Sequence, residues 1–268
     1  MPQVSAINHG ILIPSYNSGQ ALLKTCSEAL TCKLPTLVVL DGCSDNSEEF
    51  LQKYLTENAV SSAALEILSL PTNEGKGAAV LAGLRHWFQT KKFPPTHAVV
   101  LDADGQHDCC DILKMCALSE KNPDAVILGT PIFGPDAPAE RVKGRRVGNW
   151  WSNLNSAGCG IADSLFGFRI YPTKATLDIL SSIRTARRFD FDTEIAIRLV
   201  WAGVYPINFP TQVTYPKKSE GGVTHFHYLR DNLLLVGTHT RLFFGMLFRL
   251  PRLLRLRKKF QVRRNSDV

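Results

Sequence analysis

A chain of 268 residues with 44% hydrophobic and 21% charged residues can bury a full core, which excludes a disordered protein. The length suits one α/β domain with an appendage better than two equal domains. The formal net charge of +7 is unevenly placed: nine Lys or Arg and one acid stand from Arg241 onward, so the body is nearly neutral and the tail is basic. Seven cysteines (Cys26, Cys32, Cys43, Cys109, Cys110, Cys116 and Cys159) are odd in number and lack repeated C-x-x-C spacing, which speaks against a disulfide scaffold and a structural zinc site. The opening "MPQVSAINHG" carries no apolar export signal, so these cysteines read as reduced thiols in a cytoplasmic protein.

In chain order, "HGILIPSYN" is a short apolar run ending in Pro and Asn, followed by a helix-compatible stretch from Ser18 to Thr31. "PTLVVLDG" repeats the pattern, and "SDNSEEFLQKYLTEN" then offers a capping Ser or Asp with acids in the first turn. "LEILSLP" and "THAVVLDADG" are two more apolar runs, separated by the helical "GKGAAVLAGLRHWFQTK". Apolar strands each followed by a helix predict a mostly parallel sheet covered on both faces. "GTPIFGPDAPAERVKGRR" (Gly129 to Arg146) reads as a mobile surface loop able to close over a ligand. Past Asp163, "SLFGFRIYP" and "PINFPTQVTYP" read as later strands with a helix near Asp192 to Ala202 between them.

Ligands of such sheets bind at the carboxyl ends of the strands. Asn17, Asp41 and Asp102 each stand just past an apolar run, so the fold would bring them to one edge. Asp102 and Asp104 are spaced i, i+2; on an extended segment both carboxylates point one way and Ala103 the other. The rival reading is a solvated Asp-Gly turn. Clustered carboxylates repel a free phosphate but seat a cation, and oxygen ligands with open positions suit Mg²⁺ or Mn²⁺ shared with substrate phosphates. Gln106 can add an amide oxygen, whereas His107 reads as a polar neighbour.

"DADGQH" resembles the metal-binding D-x-D segment of family 2 glycosyltransferases, and is most similar to that of the polyprenyl-phosphate (dolichol-phosphate) mannose and glucose synthases. "ILIPSYN", "LDGCSDNS", "NEGKGAAVLAGL", "IADSLFGFRIYP" and "FDFDTEIAIRLVWAGVYPINFPTQVTY" resemble further family segments in the right order, from about Ile11 to Asn232. The resemblance implies a GT-A-like α/β fold with a Rossmann-like nucleotide-binding half. It divides the chain into a catalytic domain over 1–232 (nucleotide-sugar half about 1–128, acceptor half about 129–232) and a tail over 233–268. It also implies an inverting, metal-dependent hexosyl transfer from a GDP- or UDP-sugar to a membrane lipid.

By this resemblance Pro14, Tyr16, Asn17, Asp41, Asp45, Lys76, Asp102 and Ala103 contact the nucleotide sugar, and Asp102, Asp104 and Gln106 hold the metal. Lys76 reads equally well as an exposed helix lysine. A lipid-phosphate acceptor is already anionic and wants cations, for which Arg169, Lys217 and Lys218 are the candidates. A hydroxyl acceptor needs a base: Asp163 first, then Asp192 or Glu194, with a helix-cap role as the alternative for Asp163. Three departures stand out. Ser18 replaces a usual acid, Lys217 and Lys218 stand where an Arg is usual, and the paired transmembrane helices of many relatives are missing, which leaves room for a separate membrane partner protein.

"NLLLVGTHTRLFFGMLF" is interrupted by Thr, His and Arg, and "RLLRLRKKF" puts Leu on one side and basic residues on another. A basic amphipathic helix of this kind is expected in the interface of the inner membrane face, as a peripheral anchor. Nucleic acid as the partner is disfavoured by the lack of interleaved aromatics. Two rival functions are a sugar nucleotidyltransferase, which opens on a Gly-rich loop that "PSYN" replaces, and a non-catalytic membrane-associated nucleotide-sugar-binding protein, disfavoured by the intact Asp102, Asp104 and Gln106.

Overall fold

The computed structural model describes residues 7–92, 94–134, 139–213 and 228–266. Seven strands, β1 (His9–Ser15), β2 (Thr36–Asp41), β3 (Leu65–Leu70), β4 (His97–Val100), β5 (Ala125–Phe133), β6 (Arg169–Pro172) and β7 (Tyr205–Val213), form one sheet in the order β3-β2-β1-β4-β6-β5-β7. Every pairing is parallel except those of β6, which runs antiparallel to β4 and β5. Strands β1, β2 and β4 are buried at every position, because helices cover both faces.

The helices are α1 (Gly19–Leu30), α2 (Ser47–Glu57), α3 (Lys76–Thr90), α4 (Ile112–Lys121), α5 (Ala139–Asn155), α6 (Thr173–Ser182), α7 (Phe191–Ala202), α8 (Tyr228–Leu247) and α9 (Leu250–Ser266). Helix α3 lies close on the sheet because Gly83 has no side chain; a Cβ there would stand 2.6 Å from Leu12 Cδ1 and 3.0 Å from Val39 Cγ2. The register pairs Leu12 with both Leu37 and Val100, so the carboxyl ends of β1, β2 and β4 reach the same edge.

The segment 129–146 differs from the expected loop. β5 continues to Phe133 and α5 begins at Ala139, so only a short connection remains. The basic residues that looked loop-like are good helix formers.

The tail also departs from a free interfacial helix. Leu253 and Phe260 of α9 are buried, and the Phe260 ring lies 5.3 Å from that of Tyr205 on β7. Arg263 grips Asp124 through both terminal nitrogens (2.6 and 2.8 Å) and stacks over Tyr205 at 4.4 Å. Helix α9 is thus docked on the domain through Leu253, Phe260 and Arg263, while Leu254 and Val262 stay exposed, and α8 turns away from it at 91°. Leu253→Ala is expected to cost about 2–5 kcal/mol, as for other buried leucines, and to lower the urea midpoint. A loss within about 0.5 kcal/mol, typical of surface positions, would mean that α9 is not docked.

Candidate functional site

The first three strand ends are tied to one another by polar side chains. Asn17, at φ 47°, accepts backbone N–H bonds from Ser44 (2.8 Å) and Asp45 (3.2 Å), linking the loop after β1 to the loop after β2. Asp45 accepts from Gly19 N–H (3.2 Å) and from the Ser47 hydroxyl (2.8 Å), and its other oxygen takes the Ser47 N–H at the start of α2. Buried Asp41 accepts from the Glu74 and Gly75 amides (2.9 and 2.7 Å). Gly42, at φ +62°, permits this closeness: a Cβ there would meet Asn73 N at 2.3 Å. The next amides of α3, at Gly77 and Ala78, donate to the Arg187 carbonyl (2.8 and 3.3 Å). Pro14 lies inside β1, and Tyr16 follows the strand, half-buried.

The acidic pair stands on a turn. β4 ends at Val100, Gly105 takes φ +69°, and Asp104 accepts the Gln106 N–H at 3.0 Å, the local bond that an Asp in a turn makes. The extended i, i+2 geometry therefore does not hold, yet the two carboxylates remain neighbours. Burial and the charge of Asp102 push the Asp104 carboxyl above the usual carboxylate range. Burial would raise Asp102 as well, but the Lys76 ammonium, with His107, holds it well below that range. Ala103 between them is buried.

Lys76 is the centre of this cluster and is no exposed helix lysine. Its Nζ donates to Asp102 Oδ1 and to Asp192 Oδ2, each at 2.6 Å, and the two carboxylates overcome the burial that would otherwise lower its pKa. His107 Nε2 stands 3.3 Å from the other Asp102 oxygen, and its ring packs edge-on against Phe166 (4.7 Å) and beside Phe168 (5.5 Å). Gly167, whose role the sequence did not reveal, leaves room for the pair: a Cβ there would stand 2.3 Å from Asp102 Oδ2 and 2.4 Å from Lys76 Nζ.

The remaining candidates are placed differently. Arg169 is 0% exposed; Nε donates to the Phe166 carbonyl, and Nη1 to the Asp192 carbonyl and the Tyr171 hydroxyl. It braces the start of α7 and is not presented to an acceptor. Glu194 is sealed among Thr185, Arg198 and Arg241 of α8, whose Nη2 donates to it at 2.6 Å. Asp163 Oδ1 accepts the Leu165 and Phe166 amides, the cap-like role, and Oδ2 accepts from Arg145 (3.2 Å) and Asn149 (3.0 Å). Asp192 keeps Oδ1 buried without a hydrogen-bond partner. Lys217 and Lys218 lie outside the described residues.

Arg145, Arg146, Asn149, Thr130, Phe133 and Asp163 line a cavity of about 270 Å³. Arg145 stacks over Phe133 (5.5 Å) and Phe166 (5.9 Å), so the Phe166 ring touches both an arginine of the cavity and His107 of the acidic cluster. Sequence reasoning missed Arg145 because it sits in text that read as loop. The spacing of Val142, Arg145, Arg146 and Asn149 on one helical face was the available signal.

A mostly parallel sheet with one reversed strand and an acidic strand-end cluster belongs to the GT-A class of glycosyltransferases. The mannosyltransferase PcManGT from Pyrobaculum calidifontis, solved with GDP-Man and Mn²⁺, superposes with a TM-score of 0.57 at 15% identity, over 81% of this chain and 59% of that one. Residues 1–349 of S. aureus TarS superpose with a TM-score of 0.52 at 13% identity, over 92% and 73%. The chain belongs to glycosyl transferase family 2, whose model matches residues 10–178. It is 24% identical over 199 residues to a UDP-N-acetylglucosamine–dolichyl-phosphate N-acetylglucosaminyltransferase of Methanococcus voltae, covering 70% of this chain and 78% of that one. It is 24% identical over 205 residues to a dolichyl-phosphate beta-glucosyltransferase of Trichomonas vaginalis, covering 70% of this chain and 59% of the relative.

Gly167→Ala is expected to lower kcat/KM by about tenfold or more, since misplacing reacting groups by an ångström has that scale of effect. Wild-type kinetics in this variant would show that the Asp102–Lys76 geometry is unimportant to turnover.

Proposed function

We propose that this enzyme transfers a sugar from a nucleoside-diphosphate sugar to a polyprenyl phosphate of the dolichyl type, with inversion, at a membrane surface. The observation that carries the reading is the pairing of an acidic strand-end cluster with a cationic cavity across Phe166. The names of the curated relatives support the lipid phosphate and the nucleotide sugar. Asn17, Asp41 and Asp45 shape the donor pocket, and Pro14 and Tyr16 line it.

A divalent ion, Mg²⁺ or Mn²⁺, fits the residues present. No ion pair to Asp104 is seen among the described residues, burial and the charge of Asp102 push its carboxyl up, and Asp192 Oδ1 is buried and unpartnered. Among the described residues no three His, Cys, Asp or Glu side chains come together as a metal site, so an ion here would depend on oxygens supplied by the substrate diphosphate. Asp102, Asp104 and Gln106 would hold the ion, which when bound supplies Lewis-acid stabilisation of the leaving diphosphate. In the transfer an acceptor phosphate oxygen bonds to the anomeric carbon as the bond to the diphosphate oxygen breaks. Arg145 and Arg146 take the phosphate role first given to Arg169, because they line the open cavity.

A phosphate acceptor is favoured over a hydroxyl by the state of the candidate bases. Asp163 has both oxygens committed, Glu194 is sealed among two arginines, and Asp192 is held by Lys76. A phosphate monoester, whose second pKa is about 6, needs no base.

Membrane attachment is assigned to α8. Leu233, Val236, Phe244 and Leu247 fall on one exposed helical stripe, and Phe248 beyond it is 87% exposed. Trp150 and Val147 of α5 are exposed as well, and Arg252, Arg255, Lys258 and Lys259 on α9 supply exposed positive charge. Among the described residues no single helix is long and apolar enough to cross a membrane.

Purified enzyme with Mn²⁺, a panel of UDP- and GDP-sugars and a polyprenyl phosphate should release nucleoside diphosphate, and Asp104→Ala should lose at least about a hundredfold of that rate. A fully active Asp104→Ala would refute the metal seat. The double variant Phe244→Ser, Phe248→Ser should stay folded yet co-sediment with anionic vesicles far less than wild type; unchanged sedimentation would remove α8 from the membrane contact.

A further inference from the structure

Lys76 was expected to face a nucleotide or solvent, yet it is committed inside the protein. Its backbone is fixed at the start of α3 by the bonds of Gly75 N–H to Asp41 and of Gly77 N–H to the Arg187 carbonyl. Its ammonium reaches Asp102 and Asp192 at 2.6 Å each, with the Phe191 ring 5.9 Å away. Asp192 in turn is held in the first turn of α7. Asp190, ahead of that turn, accepts the Ala186 and Arg188 amides, and Arg169 donates to the Asp192 carbonyl. Gly167 leaves no free volume beside the pair.

Facing Lys76 and its immediate surroundings are the carboxylates Asp102, Asp104 and Asp192, with His107 on the far oxygen of Asp102. A dication brought to Asp102 and Asp104 meets an ammonium already seated on Asp102. Two cations sharing one half-buried carboxylate repel each other. A nucleoside diphosphate brings two or more negative charges and relieves that repulsion.

On this basis, and resting on the metal reading above, we infer that Lys76 is the resident counter-cation of the acidic seat: it holds Asp102 and Asp192 together without a divalent ion, competes with that ion for Asp102, and makes tight metal uptake depend on the nucleotide. Asp192 Oδ1, buried and unpartnered, offers the ammonium a second acceptor when it yields Asp102. Lys76 is here a positioning residue. It sets the order in which ligands enter.

The test is Mn²⁺ binding followed by the electron paramagnetic resonance signal of free Mn²⁺, on full-length protein with and without UDP or GDP. Wild type should bind Mn²⁺ alone weakly and at least about tenfold more tightly with the diphosphate present. Lys76→Met should bind Mn²⁺ alone at least about tenfold more tightly than wild type, with the nucleotide effect correspondingly reduced. Lys76→Gln, which keeps a donor without charge, should follow Lys76→Met and serves if the methionine variant fails to fold. Equal or weaker Mn²⁺ binding by folded Lys76→Met or Lys76→Gln overturns the inference. If Asp104→Ala abolishes Mn²⁺ binding while the Lys76 variants do not tighten it, only the role of Lys76 falls. If no variant and no wild-type sample binds Mn²⁺, the metal reading falls with it.

Discussion

The interaction on which the site depends is one ammonium clamped between two carboxylates far apart in the chain, Asp102 after β4 and Asp192 at the start of α7. Taking three charges out of water is costly and is recovered only with close geometry and further hydrogen bonds. The geometry is close, since Lys76 lies 2.6 Å from each partner, and His107 approaches the second oxygen of Asp102, whereas the second oxygen of Asp192 is left buried without a hydrogen bond. The cost of loosening any member spreads to the others, so the end of β4, the start of α3 and the start of α7 are held as one unit. Gly167 belongs to that unit through the space it leaves.

Helix α7 carries this arrangement outward. Within one turn it places Asp192 at the acidic cluster and Glu194 in a buried grip with Arg241 of α8. The α8 helix is bound further by Asn155 Nδ2, which donates to the His239 carbonyl, and by the stacking of Trp151 on His239. The change of composition after Asn232 is therefore no boundary in packing: the basic tail is built onto the same helix that positions the site.

Legibility in the sequence followed the range of the forces involved. Apolar runs and their strand-end polar residues are local signals, so the sheet, its parallel sense and the shared edge of Asn17, Asp41 and Asp102 could be read directly. What those side chains hold could not. Asp41 and Asn17 mostly receive backbone amides of neighbouring loops, and the partner of Lys76 lies 116 residues away. Charge alone misplaced Arg169, which is buried against carbonyls, while the useful arginines of α5 were hidden in Pro- and Gly-rich text. The Leu face of α9 was recognised as apolar, but periodicity does not say whether an apolar face meets lipid or protein.

Helix α5 joins the proposed lipid surface to the proposed acceptor cavity. Val142, Arg145, Arg146 and Asn149 recur at helical spacing on the face that lines the cavity, whereas Val147 and Trp150 recur on an exposed face. A third face meets the protein: Ser152 bonds Ser164 at 2.7 Å, and the Asn155 carbonyl accepts from Trp201 Nε1 at 2.9 Å. The helix is thus fixed from behind while presenting apolar side chains and arginines on adjoining sides. An acceptor with a hydrocarbon tail and an anionic head has the same two chemistries joined end to end. With Trp150 at the headgroup level, where Trp is favoured, the phosphate would meet Arg145 without the lipid leaving the bilayer. On that proposed path the phosphate would compete with the Asp163 carboxylate, which Arg145 and Asn149 hold, for the same guanidinium.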